Sequence, residues 1–175
     1  MTLLDAVSTH LDAHRVAHAL IGASALAVHG VSRSTFDQDL LVTDTRVLDP
    51  VFWSSLDIDA SVDARRGDAD DPLAGVVRLG GAGDRDVDIV VGRHAWQQEM
   101  LERAAPVAPG AALRAVQAAD LILLKLYAGG SQDRWDIEQL LAMNDAVTLA
   151  ATVDARLSAL PTRCGELWQR LRDAP

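Results

Sequence analysis

Asp37-Gln38-Asp39-Leu40-Leu41-Val42 reads as a strand that opens on two acids and runs into a wholly apolar end. Residues two apart on a strand share a face, so Asp37 and Asp39 point the same way, roughly 6–7 Å apart along the chain, with Gln38 turned to the other side. Carboxylates so placed repel each other unless a cation sits between them, and hard oxygen ligands suit Mg²⁺ or Mn²⁺. Taken alone, an Asp-x-Asp before an apolar strand is often a solvated strand edge. Its neighbours argue for more.

Upstream stands Ile21-Gly22-Ala23-Ser24. His18 to Ile21 reads as a short buried strand ended by Gly22, and Ser24 to His29 as a short helix stopped by Gly30. Gly22 permits close approach of the backbone, and the helix beginning near Ser24 presents free N–H groups to a phosphate. Downstream, Asp86-Val87-Asp88-Ile89-Val90-Val91 offers a second strand with two acids on one face. Asp88 lies deeper in the apolar run and completes a triad with Asp37 and Asp39. Three carboxylates can hold two cations about 3.5–4 Å apart, the spacing used for in-line phosphoryl displacement.

Around these strands the pattern predicts helices over 3–17 and 95–104, and a helical stretch over 45–56 interrupted at Pro50. Residues 57–72 are rich in acids and poor in apolar side chains, which predicts an exposed loop or edge with a short strand at 58–62. Val76 to Leu79 and Val87 to Val91 are β-rich and joined by Gly80-Gly81-Ala82-Gly83-Asp84, a hairpin-like connection. Helices over 118–128, 133–143, 146–159 and 163–172 complete the chain. Sheet first and helices after predict an α+β or α/β architecture, with a core over 1–110 and a helical region over 111–175 packed on it as one compact domain.

The 175 residues are 49% hydrophobic, enough for one real core, and carry a net charge of −9. That charge argues against broad phosphate-driven binding to duplex nucleic acid, while leaving room for a local basic pocket. No apolar run is long enough for a membrane span, and Met1 to Arg15 does not read as a signal peptide. Cys164 is the only cysteine, so neither a disulfide within the chain nor a cysteine metal pair is available. A cytoplasmic protein is expected. His10, His14 and His18 recur at helical spacing, but nothing obvious joins them as a ligand, and a surface stripe is the expectation. Trp135 and Trp168 are expected in the core or an interface.

The order of these motifs resembles a known family. Gly22-Ala23-Ser24-Ala25-Leu26-Ala27-Val28-His29-Gly30 followed by Arg33-Ser34-Thr35-Phe36-Asp37-Gln38-Asp39 is similar to the nucleotidyltransferase fold related to polymerase beta. More narrowly, it resembles the small AbiEii/AbiGii toxin-type proteins. The likeness continues through Val87-Asp88-Ile89, Asp120-Leu121-Ile122 with Lys125, Leu126 and Ala128, and Asp133 with Asp136-Ile137. It implies a small mixed sheet carrying an acidic cluster. Asp37 and Asp39 would be metal ligands, and Asp88 a third ligand or general base. Gly22 and Ser24 would hold the nucleotide phosphates, Arg33 and Lys125 would neutralise the triphosphate, and Asp136 would orient one of those cations. The family turn is commonly Gly-Gly or Gly-Ser; here Ala23 stands second.

The implied activity is transfer of a nucleoside monophosphate from an NTP to a hydroxyl with Mg²⁺ or Mn²⁺. The acceptor would be an RNA end, a protein side chain or a small molecule, in a setting that includes toxin–antitoxin and phage-defence pairs. Net charge favours a protein or small-molecule acceptor over RNA, and an antitoxin-type protein partner is compatible with it. Two alternatives stand beside this. One is a non-catalytic nucleotide-binding or partner-binding module of the same fold, favoured by Ala23. The other is a metal-dependent phosphohydrolase, weakened by the lack of a His–Asp pair beside the acids. Lys125 lies in an apolar helix, so its amine either runs along its stem to solvent or points into the cleft.

Overall fold

The computed structural model describes residues 1–81 and 83–173; Ala82, in the glycine-rich connection, lies outside them. The chain opens with α1 (Leu3–Ala13), which Thr2 and Asp5 start with a reciprocal capping box and which buries Leu3, Leu4, Val7 and Leu11. It ends earlier than the apolar spacing suggests, because Arg15 takes a left-handed turn (φ 56°) before Val16. The histidines do not form a surface stripe. His10 is buried against Phe52 and Trp53, with Nε2 on the Phe52 carbonyl, and His18 Nε2 meets Ser8 Oγ at 2.7 Å.

Strand β1 (His18–Leu20) leads into α2 (Gly22–Val28), which starts two residues earlier than expected, and then β2 (Asp37–Val42). Residues 45–48 and 50–53 form two separate 3₁₀ turns in place of one helix, capped by Asp44 and Asp49 and divided at Pro50. The acidic stretch contains β3 (Ser61–Arg66), a regular edge strand that begins later and runs longer than expected, and its residues remain half-buried or exposed. Next come β4 (Gly75–Gly80), β5 (Asp86–Val91) and α3 (Ala95–Arg103). The short strands β6 (Ala105–Pro106) and β7 (Arg114–Ala115) straddle residue 110 and pair with each other. Helices α4 (Ala118–Ala128), α5 (Ser131–Met143), α6 (Ala146–Arg156) and α7 (Thr162–Arg172) follow.

The sheet is mixed, in the order β3-β4-β5-β2-β1-β7-β6. The two acidic strands, β2 and β5, lie side by side and parallel, with Asp37 opposite Asp86 and Asp39 opposite Asp88. Period-two alternation then sorts the faces. Leu40 and Val42 of β2, Val77 and Leu79 of β4, and Val87, Ile89 and Val91 of β5 share one face, and each is 0% exposed, so this is the buried side. Asp37, Asp39, Asp86, Asp88 and Arg78 share the other. Helix α1 contacts β5, and α3 contacts β2.

The helical half is joined to the core by a buried ion network. Asp120, fully buried on α4, accepts from Arg103 Nη2 of α3 at 2.9 Å and from Arg156 Nη1 of α6 at 2.8 Å. Trp168 is fully buried on α7, whereas Trp135 on α5 is 41% exposed. Among the described residues no helix is long and apolar enough to cross a membrane.

Candidate active site

The two central parallel strands bring the predicted acids together. Register alone places Asp39 beside Asp88 and Asp37 beside Asp86 on the face opposite Leu40, Val42 and Ile89. The Asp39 carboxyl is pushed up to about 6 by burial and by the neighbouring charges of Asp37 and Asp88, and is pulled back in part by Lys125 and Arg33.

Gly22 lies against Asp39, which is half-buried. The glycine sits at φ 58°, Ile21 N–H donates to the Asp39 carbonyl at 2.9 Å, and a Cβ on Gly22 would fall inside the Asp39 carboxylate. Both the left-handed φ and the close approach therefore require glycine. Gly22→Ala is expected to cost at least about 1 kcal/mol from the backbone conformation alone, and to displace Asp39. Thermal unfolding and NTP titration of the variant measure the two effects, and a variant equal to wild type in both would show that the turn does not constrain the carboxylate. Ala23, next in the turn, is 3% exposed, whereas Ser24 is half-buried in the first turn of α2. Of the two positions, only the second has a hydroxyl with solvent access.

Lys125 on α4 and Arg33, in the segment before β2, supply cations that meet the acids of α5. Lys125 Nζ lies 2.9 Å from Asp133 Oδ1 and 2.7 Å from Asp136 Oδ2, and Asp136 is fully buried. Arg33 Nε is 3.5 Å from Asp136 Oδ1, but it is buried without a hydrogen bond. Asp136 thus sits between the two cations, and both cations act on Asp39. Asp133 accepts from Lys125 as well as from Gly130 N–H at the helix start.

The feature missed in the sequence is Arg78. On β4, directly opposite Asp88, its Nε and Nη2 donate to Asp88 Oδ1 and Oδ2 at 2.7 and 2.5 Å, and Nη2 lies 3.6 Å from Asp37 Oδ2. Asp37 also accepts from Thr35 Oγ1 at 2.6 Å. Among the described residues no group of three or more acidic, histidine or cysteine side chains is gathered closely enough to grip an ion. The donor set still fits a divalent cation in kind, since its oxygens are hard and lie on one face. Arg78, about half exposed, competes for Asp88. Arg78→Gln is expected to raise the apparent affinity for Mn²⁺ by roughly tenfold, since a unit charge a few ångströms from the site is removed. Titration followed by Mn²⁺ electron spin resonance reads this; unchanged affinity would show that Arg78 is not a competitor.

Arg78 was legible in principle. Val76-Val77-Arg78-Leu79 places a cation inside an apolar run, and antiparallel pairing of β4 with β5 sets it opposite Asp88.

No family model matches the sequence, and no curated protein does. Solved structures do. The solution structure of the antibiotic-resistance factor ANT(2″)-Ia aligns over 98% of this chain and 96% of its own, with a TM-score of 0.58 at 14% identity. The crystal structure of ANT(2″)-Ia in complex with adenylyl-2″-tobramycin aligns over 89% and 95%, with a TM-score of 0.57 at 14% identity. An antigenic nucleotidyltransferase-like protein from Paracoccidioides brasiliensis aligns over 95% and 88%, with a TM-score of 0.51 at 18% identity. At these identities the likeness speaks for the fold. The mixed sheet with adjacent acidic strands, flanked by helices, is the nucleotidyltransferase fold.

Proposed function

We propose that the protein transfers a nucleoside monophosphate from an NTP to a hydroxyl acceptor. The observation that carries this is the face shared by Asp37, Asp39 and Asp88 on neighbouring strands, with Lys125 and Arg33 close enough to act on Asp39. In the reaction the acceptor oxygen attacks the α-phosphorus, the bond from that phosphorus to the β-phosphate oxygen breaks, and pyrophosphate leaves with the electron pair. The hydroxyl proton passes to the Asp88 carboxylate. Lys125 and Arg33 stabilise the negative charge that grows on the leaving pyrophosphate. Asp136 keeps both cations oriented, and the Gly22–Ser24 turn receives the phosphates. Asp37, Asp39 and Asp88 would hold Mg²⁺ or Mn²⁺, which when bound supplies charge neutralisation at the phosphates.

Motif order supports assignment to the AbiEii/AbiGii type, hence a cytoplasmic protein of a toxin–antitoxin or phage-defence pair. A sugar hydroxyl is one acceptor class in this fold, since ANT(2″)-Ia was crystallised with adenylyl-2″-tobramycin. The second reading, a module that binds nucleotide or a partner without turnover, is favoured by Arg78, which occupies both oxygens of Asp88.

Incubation with each α-labelled NTP and Mg²⁺ tests the proposal. Pyrophosphate release with a labelled product supports transfer, and NTP binding without release supports the second reading. Asp37→Ala and Asp39→Ala are each expected to abolish divalent-dependent NTP binding. In EDTA they should leave thermal stability unchanged or raise it, because each removes a charge from a repelling cluster. A clear loss of stability in both variants would assign the acids a structural role.

A further inference from the structure

The sheet has two edges, and they are built differently. At one end β6 is two residues long and contains Pro106, which has no N–H to offer. At the other end β3 runs six residues, Ser61–Arg66, without proline, glycine or bulge and in unbroken register with β4. An edge of this length presents a row of unpaired backbone groups to another strand.

The phase of the ladder tells which groups are open. Gly67 N–H donates to the Ala74 carbonyl at 2.9 Å, one step past the Arg66–Gly75 pair. Hydrogen-bonded pairs alternate in an antiparallel ladder. Ser61, Asp63 and Arg65 therefore turn their N–H and C=O groups to β4, and Val62, Ala64 and Arg66 turn theirs outward. Among the described residues no hydrogen bond from a turn or loop reaches those outward groups. The connection from β3 to β4 is drawn the other way: Arg93, just past β5, donates to the carbonyls of Asp68, Ala69 and Leu73.

Side chains decide what this edge accepts. Asp63 and Arg65 lie on the face of Arg78 and Asp88, and Val62, Ala64 and Arg66 on the face of Val77 and Leu79. Read antiparallel against itself about Ala64, the strand is self-complementary. Ala64 meets Ala64, Val62 meets Arg66, and Asp63 meets Arg65 on both sides of the axis. The open groups suit this register, since Ala64 with Ala64 and Val62 with Arg66 become hydrogen-bonded pairs, about six backbone bonds in all. The other symmetric registers are poorer. Centring on Asp63, Arg65 or Arg66 sets like charges face to face, which destabilises a strand pair. Centring on Val62 sets Asp63 against Ser61 and carries Arg65 past the end of the strand. Within the strand Arg65 Nη2 already donates to Asp63 Oδ2 at 2.8 Å, and both side chains are mostly exposed. Two copies thus close a ring of four charges of alternating sign without breaking that pair.

We propose that β3 is a self-pairing edge, and that its partner is a second copy of this chain, joined antiparallel about Ala64. The two sheets become one, with Asp37, Asp39 and Asp88 of both copies on the same face. This does not depend on the transfer reading above.

Sedimentation equilibrium of the full chain, from about 5 to about 500 µM, is the test, since a contact of one strand falls in the small, weak class of interfaces. The expected result is a reversible monomer–dimer equilibrium. Asp63→Arg sets arginine against Arg65 of the other copy and should weaken the dimer at least fivefold. Asp63→Arg/Arg65→Asp restores opposite charges across the axis and should return the affinity to within twofold of wild type. Ala64→Pro removes an N–H that faces outward and should abolish the dimer; circular dichroism checks that its monomer is folded, and the charge pair decides the matter if it is not. A chain that stays monomeric throughout, a dimer indifferent to Asp63→Arg, or a double variant as weak as the single one overturns the proposal.

Discussion

Lys125→Met is expected to destabilise the folded protein by about 3 kcal/mol, the usual scale for removing one partner of a buried ion pair, and to weaken NTP binding as well. Lys125 is 12% exposed and its amine is shared by Asp133 and the fully buried Asp136. Methionine keeps the stem and the packing of α4 but leaves Asp136 with a 3.4 Å hydrogen bond from Gln132 Nε2 and with Arg33 as its one cation, whose Nε stands 3.5 Å away without a hydrogen bond. The family resemblance alone assigned the amine to the triphosphate. The pairing seen here gives it two duties. Urea denaturation and NTP titration separate them. If Asp136→Asn restores the stability of Lys125→Met while NTP binding stays weak, the stabilising role lies in the pair and the binding role in the charge. An unchanged urea midpoint in Lys125→Met would refute the structural role.

Asp120→Ala should cost a comparable amount, about 2–4 kcal/mol. Its carboxylate is fully buried and joins Arg103 of α3 to Arg156 of α6, while Arg156 also reaches Gln117 Oε1 at 3.2 Å. The effect should fall at the lower end, because Arg103 and Arg156 are 28% and 24% exposed and can turn to water once released. A fall in the urea midpoint with an unchanged slope would show cooperative loss of the whole domain. A new early transition would show that α6 detaches by itself, and no change at all would refute the network's role. Replacing all three residues by apolar ones of similar size is expected to recover much of the loss, since the charges then need no burial.

How far the sequence could be read follows from which signals are local. Alternation and runs of apolar residues marked β2, β4 and β5, and the same alternation placed Asp37 with Asp39 and Asp86 with Asp88. What was missed depended on tertiary partners. The spacing of α1 continued past Ala13 because Val16 is buried too, and only the left-handed Arg15 separates it from the helix. His10 looked like a surface residue until Phe52 and Trp53 covered it. The acidic stretch looked like a loop because an edge strand packed on one side needs few apolar residues, and Val62 and Ala64 suffice for β3. Arg78 was overlooked because a cation in a strand has meaning only once its cross-strand neighbour is known.

Asp39, Asp88, Arg78 and Asp63 stand opposite one another in sequence across β2, β5, β4 and β3, a single row in which Arg78 is hydrogen-bonded to Asp88. Slip β4 by one residue and Val77 or Leu79 would face Asp88, while the guanidinium would turn into the apolar core. The row therefore works as a proofreader of strand pairing: a sheet assembled out of step meets buried charge on one side and stranded acids on the other, and only the correct alignment both seals the core and sets the carboxylates in place.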